Sequence, residues 1–580
     1  MQSLEHINQI TSLLERAMIF NHGHLPVAAA YCRYLGLVDL VDQMVASKMA
    51  LRPGLAVQAM VLDVLSGRTP LYRVEQFMAG QDVELLLGEA VDPHAFNDTN
   101  LARSMDAVFA SGSSKIITEL GIRATRMFHL DATTPSYDTT STSVWGEYRV
   151  CEQQPPPPGP LITFGHSKDA LPQLKQFMTE LLCVDRGVPI FGRTLDGNSS
   201  DKTSNTDMLS RIGSVMSRLG LGPGAFVYVA DSAMITEENL LAIGENRFVS
   251  RLPATYKECA RAIGDAVDAQ AWINIGALAE IEGSRKRPSA RYKAFETTVT
   301  LYAKTYRALV VHSNAHDKRR QKKLDKALCA SEKSIGTEIG KLCKITFFCE
   351  ADAKTAATKA VALSNDLHTL TATISPIVVR RRGRPPSNAP APTHTRYALS
   401  CALAQNAQAI ERQRDLAGCF VLISNVPAEG HDAMDASRLL LTYKGQYGVE
   451  SDFAFLKDPL VVNDLFIKTP ARIDVLGMVL IIALMIWRLM ERSMRAYVAN
   501  EKTKITGWDN KKTTKPTTFM MTTYLTGIQV AHIDGQRFML RSPQPTPLDF
   551  LKALGGTPEA FLNPLYKCCP KIPAKNRAKG

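Results

Sequence analysis

Residues Phe128–Thr134 read FHLDATT, an apolar run that leads into a carboxylate at Asp131 and then into hydroxyls. Its aromatic and β-branched content predicts a strand that delivers an acid to its open end. Phe226–Asp231, FVYVAD, has the same form, with Ser232 after the acid. Two such strands side by side in one sheet set both carboxylates at one edge. With one further acid, Asp131 and Asp231 can hold two divalent ions roughly 3.5–4 Å apart. Oxygen ligands favour Mg²⁺ or Mn²⁺ over zinc. A lone Asp after a strand is also an ordinary turn residue, and that reading stands beside the first at each position.

The third acid comes from Tyr443, Gln446, Glu450 and Lys457. Seven residues make nearly two helical turns, so Tyr443, Glu450 and Lys457 share a face of a continuous helix. Gln446 lies one turn before Glu450 on the same side. On such a face Glu450 coordinates metal and Lys457 neutralises a DNA phosphate. An exposed helix with scattered charges is the alternative.

Length and charge bound the possibilities. At 580 residues the chain is too long for one core, and two to four domains are expected. A formal net charge of +12 and a pI near 9.1 favour a polyanionic partner. Composition alone does not separate DNA, RNA and an anionic membrane. Eleven cysteines without a CxxC pair are no disulfide framework, which fits reduced thiols in a cytoplasmic protein. The first residues, MQSLEHINQI, show no basic region before an apolar core, so no signal peptide is visible. Val475–Trp487, VLGMVLIIALMIW, is apolar throughout. As helix it spans only about 20 Å, short of a bilayer, and reads as a buried core helix.

Taken in order, residues 1–115 read as a helical domain that binds DNA, dimerises or supports the next domain, with Asp98, Thr99 and Asn100 capping a helix. Residues 120–250 change to α/β texture: a polar, hydroxyl-rich run to Tyr148, a stiff QQPPPPGP loop, and GHSKD at 165–169. A helix over Gln173–Leu182, a strand over Gly187–Leu195, a helix over Thr206–Leu219 and a helix over Thr236–Ile243 follow. Residues 251–415 read as an insertion with a strand at Tyr302–Val311 and two basic segments. One holds Lys318, Arg319, Arg320, Lys322, Lys323 and Lys326; the other holds Arg380, Arg381, Arg382, Gly383, Arg384 and Pro385. The first is a DNA contact or a solvated helix face. The second fits the narrow minor groove of A·T-rich DNA or is a basic linker. Residues 416–500 return to the core with the strand Cys419–Ser424 and helical stretches at Asp432–Tyr443 and Tyr447–Leu456. Residues 501–580 form a basic C-terminal region, with 571–580 expected to be disordered.

The chain resembles bacterial insertion-sequence transposases with a ribonuclease-H-like DDE core and a large insertion before the final Glu. Asp131 in FHLDATT is similar to the family's first catalytic Asp, Asp231 in FVYVADSAM to its second, and Glu450 to its Glu. The family's signature Tyr-x2-Arg-x3-Glu-x6-Lys stands here as Tyr443, Gln446, Glu450 and Lys457. Gln446 departs from the family's Arg, so Gln446→Arg is expected to keep or raise activity. SGRTPLYRVEQF at 66–77, GHSKD, and RLPATYKE at 251–258 also resemble this subgroup. The resemblance implies a mixed α/β sheet flanked by helices and a Mg²⁺- or Mn²⁺-dependent enzyme. It implies binding to double-stranded DNA, at terminal inverted repeats and target, as a homodimer in a synaptic complex, with no membrane. Tyr443, Gln446, Lys457, Lys318, Arg319, Arg320, Arg380, Arg382 and Arg384 are the implied DNA contacts. The other expectation is a catalytically decayed relative that still binds DNA.

Overall fold

A computed structural model describes residues 11–13, 15–67, 73–152, 155–278, 289–314, 318–380, 393–458 and 467–570, without the side chains of Val150, Glu152 and Lys318–Arg320. The chain divides into two compact units. One holds residues 1–250, 429–433 and 439–580; the other holds 251–428 and 434–438.

The first unit begins with a short strand, β1 (Met18–Phe20), and seven helices: α1 (Leu25–Leu35), α2 (Leu37–Met44), α3 (Pro53–Ser66), α4 (Val74–Ala79), α5 (Val83–Leu87), α6 (Asp98–Ser111) and α7 (Ser113–Met127). A mixed sheet follows, made of β2 (Ser136–Val144), β3 (Lys175–Val184), β4 (Val188–Leu195), β5 (Val227–Ala230) and β6 (Arg247–Arg251). Helices α8 (Asp201–Arg218) and α9 (Glu237–Ala242) lie in the connections. β2, β3 and β4 form an antiparallel meander, while β5 pairs parallel to β2 and β6 parallel to β5. The spatial order is β4-β3-β2-β5-β6.

The second unit contains α10 (Lys257–Ala269), β7 (Ile273–Ala277), β8 (Arg291–Leu301), β9 (Lys304–Ser313), α11 (Lys318–Leu342), β10 (Thr346–Phe347), α12 (Glu350–Val361), β11 (His368–Arg380), β12 (Thr393–Gln405), α13 (Ala407–Ala417) and β13 (Cys419–Ser424). β13, β9, β8 and β7 pair antiparallel in that order. β10, β12 and β11 make a separate antiparallel sheet. The chain then passes through α14 (Ala436–Lys444) to α15 (Tyr447–Leu456) and α16 (Pro470–Asn500).

The core of the first unit is α16. Its apolar window has a mean hydropathy of 2.2, long and apolar enough to cross a membrane, yet 89% of it is buried inside the unit. It packs on α1, α3, α6, α7 and β4. Gly477 lets it approach β4, since a Cβ there would sit 2.3 Å from the Thr194 hydroxyl. The chain ends are drawn into the same unit. β1 pairs with Val530–Ile533, the Tyr31 hydroxyl donates to Leu554 O at 3.0 Å, and Arg33 Nε donates to Tyr566 O at 2.9 Å.

Two expectations fail here. Phe128–Thr134 is not a strand. The apolar period of Ile116, Ile117, Leu120 and Ala124 carries α7 to Met127, and a turn with His129 at φ 49° follows. Phe128 is buried against the rings of Tyr31 and Tyr34, at 5.8 and 5.6 Å, and stops the helix there. Gln173–Leu182 is not a helix but most of β3. That strand lies between β2 and β4 with nearly every residue buried, so its apolar positions run on instead of alternating. The expected disorder at 571–580 falls outside the described residues, as do Arg382 and Arg384.

Candidate active site

The polar, hydroxyl-rich run holds the strand β2, and it carries an acid that the sequence reading passed over, Asp138. In the parallel pairing of β2 with β5, Ser136 faces Val229 and Tyr137 faces Ala230. One residue past that pairing come Asp138 on β2 and Asp231 at the end of β5, near enough for the Asp231 charge to act on the Asp138 carboxyl. Burial pushes the Asp138 carboxyl up to about 7, opposed by the Lys168 ammonium and reinforced by the Asp231 charge. Asp231 is raised as well, first by burial and then by Asp201. Its Oδ1 accepts from Ala233 N at 3.0 Å, and the Ser250 hydroxyl donates to its carbonyl at 2.7 Å. Two carboxylates crowded in this way repel each other unless a cation compensates.

Lys168 supplies part of that compensation. Its Nζ donates to Thr139 O at 2.7 Å and Thr139 Oγ1 at 2.9 Å, and lies 3.2 Å from Asp201 Oδ1. Lys168 N also donates to Ser141 Oγ at 2.9 Å. The GHSKD stretch is thus fastened along β2 next to Asp138. Its last residue, Asp169, accepts from Lys457 Nζ at 2.5 Å. The end of α15 is therefore tied through this loop to the strand that bears Asp138.

α15 lies on β2 and β3. Val449, Asp452, Phe453 and Leu456 are buried, and Glu450 is on the exposed face. Gly448 permits the close approach: a Cβ there would be 2.4 Å from Arg186 O in the β3–β4 turn. Arg488 of α16 grips the same helix. Its Nε donates to Asp452 Oδ1 at 2.6 Å and its Nη2 to Ser451 Oγ at 2.8 Å. Cys183 Sγ donates to Asp452 Oδ2 at 3.4 Å. Burial raises Asp452 to about 7 against the pull of Arg488.

Asp131 stands elsewhere. Its Oδ1 accepts from Thr133 N at 3.2 Å and Thr133 Oγ1 at 2.6 Å, the pattern of a turn residue. Its carbonyl accepts from Asp185 N at 3.2 Å, which holds it at the β3–β4 turn. Val227 N donates to Thr133 O and Val229 N to Pro135 O, so the chain after Asp131 bends at Thr133 and Thr134 and then runs beside β5. Asp131 thus precedes the start of β5, whereas Asp231 follows its end. The structure brings Asp138, not Asp131, beside Asp231. The signal in the sequence was SYDTTSTSV itself: Thr is β-branched and suits a strand, although it counts as polar in a hydropathy pattern.

The Tyr443–Lys457 segment is not one helix. It breaks between α14 and α15 at Gly445 and Gln446, so Tyr443 does not share a straight face with Glu450 and Lys457. Tyr443 is half-buried near the end of α14, and Gln446, 7% exposed, is folded inward. Arg380 is exposed at the end of β11, and Lys318, Arg319 and Arg320 open α11. None of the eleven cysteines is in a disulfide. Among the described residues no group of three or more His, Cys, Asp or Glu is gathered closely enough to hold a metal.

Residues 17–122 match a family model described as a domain of unknown function, DUF4277. No curated protein matches the chain.

Proposed function

We propose that the chain is a divalent-metal-dependent DNA transposase with a ribonuclease-H-like core. The single observation that carries this reading is the juxtaposition of Asp138 and Asp231 on parallel neighbours of a mixed sheet whose first three strands form an antiparallel meander. That order resembles the ribonuclease-H-like arrangement, in which acids gather at the central strands. Two adjacent carboxylates, both raised by burial, are a donor set for a hard cation. Asp138 and Asp231 would hold Mg²⁺ or Mn²⁺, with Glu450 supplied by α15 as the third acid. The bound ions would activate a water or 3′-hydroxyl and stabilise the leaving oxygen of a phosphodiester. Lys168 holds β2 and the GHSKD loop together, and Lys457 fixes the end of α15 against Asp169. In this reading the first acid of the DDE set is Asp138, and Asp131 is a turn residue.

The test uses full-length protein, Mg²⁺ and labelled duplex carrying the terminal repeats that flank its gene. Asp138→Asn, Asp231→Asn and Glu450→Gln are expected to abolish cleavage while retaining end binding; Asp131→Asn is expected to cleave. Cleavage by Asp138→Asn at the wild-type rate, or its loss in Asp131→Asn, would overturn the assignment. Binding without cleavage by the wild-type protein would favour the decayed, non-enzymatic relative.

A further inference from the structure

The second unit contains a small module whose charge sets it apart. Residues 318–405 hold 16 Lys and Arg against 6 Asp and Glu, a net +10 out of the chain's +12. The module has its own apolar centre, formed by Ile335 of α11, Ala356 and Ala360 of α12, Leu370 of β11 and Leu399 of β12. From that centre rises a two-stranded ribbon in which thirteen residues of β11 pair with thirteen of β12, from His368 opposite Gln405 to Arg380 opposite Thr393. At about 3.3 Å per residue the ribbon is about 43 Å long.

Cover stops part-way: β10 sets Phe347 beside Tyr397 and Thr346 beside Ala398, level with Pro376 and Ser375, and past them the ribbon is two-stranded. Beyond Ile374 the residues Ser375, Pro376, Ile377 and Val378 are exposed in succession, with Val378 67% exposed. A bare two-stranded ribbon is at best marginally stable in water, and an exposed edge rich in Ile and Val invites pairing. Residues 368–405 include five Arg and no Asp or Glu. Arg380 and Arg396 have no ion pair among the described residues, and the Arg396 guanidinium lies 4.4 Å over the exposed Phe348 ring. Lys322, Lys323 and Lys326 of α11 are exposed and equally uncommitted among the described residues.

We infer that this ribbon is a DNA-binding arm whose two-stranded far end lies in the major groove of a duplex. The inference rests on the DNA partner of the proposed function and names the element that grips it. Charge selects the occupant: a polyanion is attracted to a segment of net charge +10, whereas a second copy would bring two such segments together. Size selects the groove. Two strands fit the major groove, about 12 Å wide, and not the minor groove, about 6 Å wide. Arg380 and Arg396 reach phosphates on the groove walls, while Thr395 and Val378, paired on one face, are turned to base edges or thymine methyls.

The experiment measures binding of full-length protein to a fluorescent 30-base-pair duplex between 50 and 200 mM salt. Each phosphate contact adds about 0.9 to the slope of log affinity against log salt. Arg380→Ala with Arg396→Ala is expected to reduce that slope by about 1.8 and to weaken binding. The double Arg→Lys variant, which keeps both charges and reports on folding, is expected to retain the slope. Lys511→Ala, an exposed change outside the module, should leave binding as it was. Guanine-N7 methylation in the major groove should interfere, and distamycin in the minor groove should not compete. Wild-type binding that the double Ala variant leaves unchanged overturns the arm alone. Competition by distamycin with no methylation interference overturns the groove assignment. A wild-type protein that does not bind duplex DNA overturns both the arm and the transposase reading.

Discussion

Replacing Asp138 by Asn should make the metal-free protein more stable at alkaline pH, although it should end catalysis. Asp138 is raised in the fold to about 7 from an ordinary value of 3.8. A carboxyl with a raised folded pKa binds its proton more tightly in the fold than in the unfolded chain. Its contribution is fully present below 3.8 and is lost as pH rises to about 7 and beyond. The shift is about three units, and at 1.36 kcal/mol per unit the fold forfeits up to about 4 kcal/mol across that window. Because Asp231 titrates beside it, the observed transition belongs to the pair. Asn keeps the shape and removes the charge. Urea melts in EDTA at pH 5 and pH 8.5 should therefore show a wild-type midpoint that falls with pH and a variant midpoint that falls less. Added Mg²⁺ should raise the wild-type midpoint at pH 8.5 and leave the variant nearly unmoved. A variant less stable than wild type at pH 8.5, with the same pH dependence, would refute the crowded-acid reading.

Three other changes probe the surrounding structure. Gln446→Arg, expected from sequence to keep or raise activity, should instead lower stability by about 2–4 kcal/mol, because position 446 is 7% exposed and would bury an unpaired guanidinium; an unchanged melt would show that the site opens to solvent. Arg488→Ala leaves Asp452 buried without its partner and should cost about 3–5 kcal/mol, with much of the loss recovered by the further change Asp452→Asn. Failure of that double variant to recover would mean that Arg488 acts through packing. Lys457→Ala breaks a pair whose side chains are 24% and 32% exposed, so stability should change by less than about 1 kcal/mol. Cleavage should fall more than that, since the tie from α15 to the GHSKD loop is lost; equal cleavage would remove Lys457 from the site.

How much of this was legible in the sequence depended on whether local pattern and tertiary setting agreed. CFVLIS is a buried strand over the range its apolar run predicts, and Asp231 follows a strand as FVYVAD predicts. The long apolar helix declares itself by composition alone. β3 deceived because both its faces are covered, which erases alternation, and because it carries Glu180, buried with Arg193 and the Tyr137 hydroxyl as partners. β2 deceived for the opposite reason: Thr and Ser fill it, so it resembles a loop on any hydrophobicity scale while its threonines favour extended backbone. Asp131 drew the reading because HLDATT mimics a strand ending in an acid. The deciding information, the register of β2 against β5, arises from pairing across roughly ninety residues and has no local trace.

The pairing of the two chain ends also governs when the molecule can become whole during synthesis. Arg16 reaches Asp534 across 518 positions, Tyr31 reaches Leu554 across 523, and Arg33 reaches Tyr566 across 533. At about 5–20 residues per second, the first helices leave the ribosome about 25–100 seconds before the residues that complete their packing. The second unit, residues 251–428, is sequence-contiguous apart from five positions and can close during that wait. The first unit cannot, because α16 and its C-terminal partners have not been made. A nascent chain that stalls late would thus carry a finished basic module and an unfinished acidic centre.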